Sequence, residues 1–339
     1  MSGEERPLRL LSLDGGGVRG LSSLIILQHL MRTINLAHPP KPCDYFDLIG
    51  GTSTGGLIAI MLGRLKMDID ECITAYLEIS RDVFQPKKKR YNVFGRASDA
   101  IKVRGRFDSE ALKSGIQKIV VRAGEDRNAK LRIENEPKCR VFVCAIHGEM
   151  GMHTSLLRGY ESKQVQEDDC TIWEAGRATS AASSFFDPIL IGQFQKTFVD
   201  GGAGCNNPVE KVYEEALNIW GQGATKRIQC IVSVGTGQPA EKAFGSGVKE
   251  IASTIIRIAT ETEQTAVRFT RLVAPILGPS PGSQKVYYRF NVIKGLEDVG
   301  LERHENKARI AAATRVYLNH PDTSINIDSC ASAMRGQSR

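Results

Sequence analysis

A serine between two glycines joins two apolar segments of the chain. Gly51, Ser53 and Gly55 form a Gly-x-Ser-x-Gly sequence that follows the short run beginning at Asp47 and leads directly into an apolar helical segment. A strand that turns sharply into a helix around one serine exposes the hydroxyl at the apex of a strained turn, and the glycines let a substrate approach. The pattern predicts a nucleophile at Ser53. The alternative is an ordinary helix N-cap.

Three consecutive glycines follow the first apolar segment. Gly15, Gly16 and Gly17 lie between a predicted strand over 8–13 and a predicted helix over about 21–36. Backbone N–H groups at such a junction are suited to an anion. A hydrolase with a serine nucleophile needs donors of this kind for the negative oxygen of its tetrahedral intermediate. The glycines are therefore candidates for an oxyanion hole.

A dinucleotide-binding loop is the rival interpretation of the same glycines, because with Gly20 they satisfy the pattern Gly-x-Gly-x-x-Gly. That site also requires an acidic residue about 20 positions later, at the end of the second strand. Here the second strand ends at Ser53, and the nearest acids, Asp44 and Asp47, lie at its start. The sequence therefore favours the oxyanion hole.

Asp200 is the candidate base for the serine. It follows the apolar run 197–199 and precedes two glycines, so that a carboxylate lies at a strand end with space around it. A serine hydroxyl is a poor nucleophile without a base within about 3 Å. An Asp-Gly turn is the ordinary alternative. A triad of Ser53, Asp200 and His304 would match the α/β-hydrolase order, but no histidine lies in a glycine-rich strand-end context.

Together these segments resemble the three signature blocks of patatin-like phospholipases, in the order in which that family carries them. The blocks are residues 14–20, 51–55 and 200–202. Residues 178–182 resemble a further block that the family carries ahead of its Asp-Gly-Gly. The resemblance covers roughly residues 8–320.

The resemblance implies a three-layer α/β/α fold with a mostly parallel central sheet. It implies a Ser–Asp dyad of Ser53 and Asp200 without histidine, and an oxyanion hole from residues 15–17 with Arg19 nearby. The implied activity is hydrolysis of acyl esters, of the calcium-independent phospholipase A2 or lysophospholipase type. Neither a metal nor a cofactor is expected.

Length and composition suit one large α/β domain. The 339 residues are 41% hydrophobic and 24% charged, and alternating strands and helices favour a mostly parallel sheet covered on both faces. We expect a domain over 1–320 and a polar, loosely ordered tail or linker over 321–339. The eight cysteines are scattered without metal-ligand spacing, which indicates reduced thiols.

A basic run is the candidate for a contact with lipid. It begins at Lys87 and, with scattered basic residues, extends to Arg106, in a chain of net charge +7. Such runs are usually solvated loops, but they can also attract acidic headgroups. No stretch approaches the roughly 18 apolar residues of a membrane span. We expect a cytoplasmic protein that contacts membranes peripherally through residues 87–106. Its expected partner is a phospholipid or other acyl lipid, and no nucleic acid is expected. The sequence is compatible with an oligomer.

The sequence leaves two other functions open. The chain could be a non-catalytic lipid-binding or assembly module that keeps the fold, although the intact serine and aspartate argue against it. It could also be the N-terminal effector domain of a larger receptor-like protein. The polar residues after 320 would suit a linker in that case.

Overall fold

The structure, a computed structural model, describes residues 6–84, 106–150, 153–162, 164, 169–182, 185–238, 249–278, 285–297 and 299–335. The basic run from 87 to 105 lies outside these residues. The described residues form eight strands: β1 Leu8–Leu13, β2 Leu48–Thr52, β3 Arg140–His147, β4 Thr154–Arg158, β5 Ile189–Ile191, β6 Lys196–Asp200, β7 Ile228–Val234 and β8 Tyr287–Phe290.

Thirteen α-helices lie between and after these strands in the described part of the chain. They are α1 Gly20–Ile34, α2 Pro42–Tyr45, α3 Thr54–Ala59, α4 Ile69–Val83, α5 Ser109–Arg122, α6 Ile172–Thr179, α7 Gly202–Cys205, α8 Val209–Trp220, α9 Ala224–Arg227, α10 Lys249–Leu272, α11 Ala274–Leu277, α12 Lys307–Leu318 and α13 Pro321–Arg335.

All eight strands belong to one mixed sheet. Five of them, in the spatial order β3, β2, β1, β7 and β8, run parallel to one another. The other three, β4, β5 and β6, are antiparallel. Because the carboxyl ends of β1 and β2 lie at the same edge of the sheet, the glycine block after β1 and Ser53 after β2 are neighbours.

Strand β6 continues the sheet from the end of β2. Cys144 of β3 pairs with Thr52, and the next residue, Ala145, pairs with Asp200. Residues 145 and 146 also pair with β4 on one side of β3. Because a strand has only two sides, β6 must lie on the other side, which is the side of β2, beyond the point where β2 ends. The two strands therefore meet end to end, with Ser53 and Asp200 where they meet.

Two apolar cores lie on opposite faces of the sheet. Alternate side chains of β1 enter different cores, Leu11 on the face covered by α1 and Leu10 on the face covered by α8. This alternation is the period of a strand covered on both faces. The prediction of a three-layer α/β/α fold with a mostly parallel sheet is confirmed.

The prediction of a loosely ordered tail after residue 320 is wrong. Residues 321–335 form α13, and Ile327, Cys330 and Met334 are completely buried. These positions recur at the spacing of one helix face, which the polar residues between them obscured. Pro321, expected to end the ordered chain, is instead the first residue of the helix, a position that proline favours.

Candidate active site

Ser53 lies in a strained turn between β2 and α3. Its backbone has φ 53° and ψ −124°, a combination that residues with a side chain rarely adopt. The turn is held from outside: the Ser53 N–H donates to Thr179 Oγ1 at 2.8 Å, and this hydroxyl donates to the Cys144 carbonyl at 2.7 Å. The geometry is that of a nucleophile elbow.

The two glycines of the elbow allow it to pack tightly. A β carbon at Gly51 would lie 2.2 Å from the carbonyl oxygen of Gly55, and one at Gly55 would lie 2.3 Å from the carbonyl oxygen of Leu13. Both distances are far below van der Waals contact. The elbow is therefore pressed against the end of β1, where the glycine block begins.

Asp200 contacts the Ser53 hydroxyl directly. Ser53 Oγ donates to Asp200 Oδ2 at 2.7 Å, and the other carboxylate oxygen accepts from the Gly202 N–H, also at 2.7 Å. Burial raises the pKa of Asp200 to about 6, although the bonds from Gly202 and Ser53 oppose the shift. The carboxylate is still mostly ionised at neutral pH.

The glycine block presents two N–H groups without acceptors. The Gly15 N–H donates to the Asn206 carbonyl at 3.1 Å and is therefore already engaged. Within the described part of the chain, the N–H groups of Gly16 and Gly17 have no acceptor. Of the three glycines predicted for an oxyanion hole, only these two have a donor available.

Contacts from several elements fix the glycine block. Gly17 has φ 53°, and a β carbon there would lie 2.2 Å from the Leu301 carbonyl oxygen, so only glycine fits. Besides the bond from Gly15 to Asn206, hydrogen bonds from Thr236 Oγ1 to the Gly15 carbonyl at 2.9 Å and from Tyr76 Oη to the Gly17 carbonyl hold the block. The Val18 N–H also donates to the Leu301 carbonyl, at 2.8 Å.

The backbone N–H of Arg19 donates to the Gly16 carbonyl at 3.2 Å and is therefore already engaged. Its side chain lines the active-site cavity and is only 4% exposed. Among the described residues, its Nε and Nη1 atoms have no hydrogen-bond partner. Burial lowers the pKa of Arg19 to about 10, so the guanidinium remains charged at neutral pH.

No histidine lines the cavity among the described residues. His304, the candidate third member of a triad, lies in a 3-10 turn just before α12, with its Nδ1 3.7 Å from the Glu305 carboxylate. The acceptor of the Ser53 hydroxyl is Asp200. The hydroxyl thus donates to a carboxylate and not to an imidazole.

A cavity of about 330 Å³ surrounds Ser53 and has two chemically different walls. The apolar wall consists of side chains from α4, α5 and the segment before β5: Ile79, Val83, Phe84, Leu112, Phe185 and Phe186. The polar wall lies beyond the glycine block: Asp14, Thr236, Gln238, Thr262, Glu263 and Asn291. A molecule with an apolar chain and a polar end would match both walls.

A model of the family described as patatin-like phospholipase matches residues 11–213. This range is more than half of the chain, and it includes the glycine block, the elbow and Asp200. The chain belongs to the patatin-like phospholipase family.

Several members of this family align with most of the chain. The human calcium-independent phospholipase A2-gamma is 28% identical over 325 residues, which cover 89% of this chain and 37% of that protein. Phospholipase A I of Arabidopsis thaliana is 25% identical, with 89% of this chain and 26% of that protein covered. The chain thus spans well under two thirds of either relative.

A bacterial relative is covered more completely. The cGAMP-activated phospholipase of Escherichia coli (strain TW11681) is 28% identical over 212 residues, which cover 61% of this chain and 56% of that protein. Among solved structures, VipD from Legionella pneumophila aligns over 93% of this chain and 67% of that chain, with 12% sequence identity and a TM-score of 0.38.

A partly buried ionic network behind the patatin-like glycine block was not predicted from the sequence. Arg289 Nη2 donates to Asp14 Oδ2 at 2.7 Å and to Glu263 Oε1 at 3.1 Å, while its Nη1 donates to Ser233 Oγ at 3.0 Å. Burial raises the pKa of Asp14 to about 6, against the opposing effect of Arg289. The network ties the end of β1 to β7, β8 and α10.

Thr179 is a second residue whose position sequence reasoning missed. It belongs to the small-residue segment 178–182, whose resemblance to a family block implies no role for any one residue. Its hydroxyl orients the Ser53 backbone. The signal in the sequence is a threonine among alanines at the end of a helix, where a hydroxyl can reach neighbouring backbone.

Proposed function

We propose that this patatin-like domain hydrolyses acyl esters of phospholipids or lysophospholipids, in the manner of calcium-independent phospholipases A2 and lysophospholipases. One observation carries the proposal: the 2.7 Å hydrogen bond between Ser53 Oγ and Asp200, next to the unpaired N–H groups of Gly16 and Gly17. Family membership and the names of the relatives support it.

Acylation begins with attack of Ser53 Oγ on the ester carbonyl. The hydroxyl proton passes to Asp200, so that the base is a carboxylate in direct contact with the nucleophile. Negative charge develops on the carbonyl oxygen, where the N–H groups of Gly16 and Gly17 donate to it and Arg19 adds a positive potential. The tetrahedral intermediate collapses, the alcohol leaves with the proton from Asp200, and the acyl group stays on Ser53.

Deacylation uses the same groups in the same order. A water molecule takes the place of the departed alcohol, and Asp200 removes one of its protons as it attacks the acyl carbonyl. The oxyanion again lies at the two glycine N–H groups. Collapse returns the proton to Ser53 Oγ and releases the fatty acid.

The cavity orients the substrate. With the ester carbonyl at Ser53, the acyl chain follows the apolar wall formed by α4 and the phenylalanines before β5. The alcohol portion faces the polar wall that includes Asn291 and Glu263.

No helix in the described ranges is both long enough and apolar enough to span a membrane. The proposal places the protein peripherally on a lipid surface.

Acyl release from defined phospholipids tests the proposal. The unmodified protein should release fatty acid from phosphatidylcholine or lysophosphatidylcholine in the presence of a calcium chelator, and Ser53→Ala should reduce the rate at least about a thousandfold. A fluorophosphonate should add one covalent group to the protein, and Ser53→Ala should remove this labelling. Lipid binding without acyl release or labelling would instead favour a non-catalytic lipid-binding module.

A further inference from the structure

The β5–β6 hairpin, residues 189–200, is anchored at both ends in the wall of the active-site cavity. Phe185 and Phe186, just before β5, line the cavity. Val199 and Asp200, at the end of β6, also line it. The tip of the hairpin is therefore connected to the site through two short strands.

The tip projects away from the edge of the sheet that carries Ser53. Because β6 meets the end of β2 and runs towards it, following β6 backwards from Asp200 to Lys196 leads outwards from that edge. Four residue steps of about 3.4 Å place Lys196 roughly 14 Å beyond Asp200. The turn at the tip is well defined, since the Gln195 N–H donates to the Gly192 carbonyl at 3.1 Å.

The tip exposes apolar side chains on a segment without acids. Phe194 is 75% exposed and Leu190 is 53% exposed. Residues 188–196 contain no Asp or Glu, and their one charge is the lysine at 196. An exposed aromatic residue at the end of a projecting hairpin, beside a basic residue, has the composition of an interfacial anchor. One carboxylate borders the hairpin: Glu149 accepts from the Thr197 hydroxyl, and Thr197 pairs with Leu190 across the hairpin.

Basic residues elsewhere in the chain make an anionic surface the matching partner. The rings of Phe84 and Phe107 are in contact, with centroids 5.3 Å apart, and Phe84 lines the cavity. The sequence between these two residues contains the basic run 87–106. The net charge of +7 has the same sign. Both features favour a surface that carries acidic headgroups.

We propose that Leu190 and Phe194 insert into the interface of an anionic phospholipid bilayer and hold the cavity against the lipid. This role rests on the proposed lipid hydrolysis and explains how the ester reaches a serine that is only partly exposed. Phe194 enters the boundary between headgroups and acyl chains first, and Leu190 follows from β5. The long side chain of Lys196, between these two levels of the hairpin, extends back so that its ammonium stays among the headgroups. The hairpin strands then lead back to the cavity.

Vesicle binding in a Ser53→Ala background tests the insertion, because the lipid stays intact. Vesicles of phosphatidylcholine with and without phosphatidylserine are sedimented with the protein. The double variant Leu190→Ser/Phe194→Ser should lower the partition coefficient for the anionic vesicles about tenfold or more, given the apolar area removed. In a Phe194→Trp variant, brominated acyl chains should quench the indole fluorescence.

Leu36→Ser is the matched control. Leu36 is 79% exposed, and it follows α1, whose 15 residues lead about 22 Å away from the glycine block. Its loss should leave vesicle binding unchanged. In the active protein, the hairpin double variant should turn over a soluble short-chain ester at the normal rate.

Three results would overturn the insertion. The Ser53→Ala parent could fail to bind either kind of vesicle. The double variant could also bind the anionic vesicles as tightly as this parent does, and the exposed side chains would then suit a protein partner at the edge strand β5. Third, the double variant made in the active protein could lose soluble-ester turnover to the same degree as vesicle binding, which would show that the tip only supports Asp200. Absence of ester hydrolysis in the protein that keeps Ser53 would contradict the proposed function, whereas vesicle binding by Ser53→Ala is measured independently of it.

Discussion

Residues 11–213 and the residues that follow them contribute differently to the site. The first region, which matches the family model, carries Ser53, Asp200 and the glycine N–H groups. The second region supplies contacts behind them: Thr236 holds the Gly15 carbonyl, and the Leu301 carbonyl accepts from Val18. The groups proposed to react thus lie in one region, and part of what fixes their positions lies in the other.

This division separates two kinds of effect. Changes in the first region should remove a reacting group and affect the rate far more than the stability. Changes in the second region should leave every reacting group present but less well placed, which matters because an oxyanion hole works through donors fixed before the reaction. Substitutions in each region test the comparison.

Asp200→Asn, in the first region, should have the largest effect on the rate. The amide cannot accept the Ser53 proton, so we expect kcat for a soluble ester to fall at least about a thousandfold. Protein that has been checked by circular dichroism and assayed at several pH values provides the measurement. A variant that keeps a tenth of the activity would remove Asp200 from the role of base.

The same substitution should stabilise the fold at neutral pH. The pKa of Asp200 is about 6 in the folded protein against an ordinary value of 3.8, so the folded state binds more protons than the unfolded state between these values. Its contribution to stability is therefore present below about pH 4 and is lost as the pH rises through 6. Asp200→Asn should raise the free energy of unfolding in urea at pH 7 by up to about 3 kcal/mol, with little gain at pH 4.

Thr236→Val should give an intermediate effect that represents the second region. The change keeps the shape of the side chain but removes the hydrogen bond to the Gly15 carbonyl. We expect kcat to fall between about tenfold and a hundredfold, with KM for a soluble ester nearly unchanged. Thr236→Ser keeps the hydroxyl and should restore most of the rate. Equal losses in both variants would mean that the hydrogen bond does not account for the effect, because Thr236→Ser keeps it.

The histidines should give the smallest effects. If Asp200 alone activates Ser53, replacing any one of them by Gln should leave activity within about tenfold, a barrier change near 1.4 kcal/mol. The candidates for testing are His147, His153, His304 and His320. One folded histidine variant without activity would replace the dyad by a triad. The pH profile cannot make this distinction, because a pKa near 6 for Asp200 resembles that of an imidazole.

The sequence predicted the site residues that lie in a recognisable local motif. It missed the supporting contacts between residues that only the order of the strands brings together. Ser53 and the glycine block can be recognised in the sequence because an elbow and a strand-to-helix turn need particular residues at fixed spacings. Thr236 lies 221 residues from the carbonyl that it holds, and no local pattern marks such a contact. The Arg289 network has the same character. Both depend on the order of β1, β7 and β8, which alternating strands and helices do not specify.

The polar tail shows a different limit. Its helix α13 has a narrow buried face, and small or polar residues fill the remaining positions. A proline ahead of such a segment suggests the end of the ordered chain, whereas here it opens a helix. Packing against α1 stabilises residues 321–335 as a helix. The hydrophobic pattern of these 15 residues is too weak to predict that helix from the sequence.

The end-to-end meeting of β2 and β6 makes the chemistry depend on strand alignment. In the described part of the chain, three residue pairs connect β6 to β3, Ala145 to His147 with Phe198 to Asp200. A slip of one residue would move Asp200 by about 3.4 Å along β3 and turn its side chain to the other face of the sheet. Asp200 would then no longer reach the Ser53 hydroxyl, although every residue remained. The proposed catalysis therefore reports on strand register, because it requires that these three backbone pairings are formed.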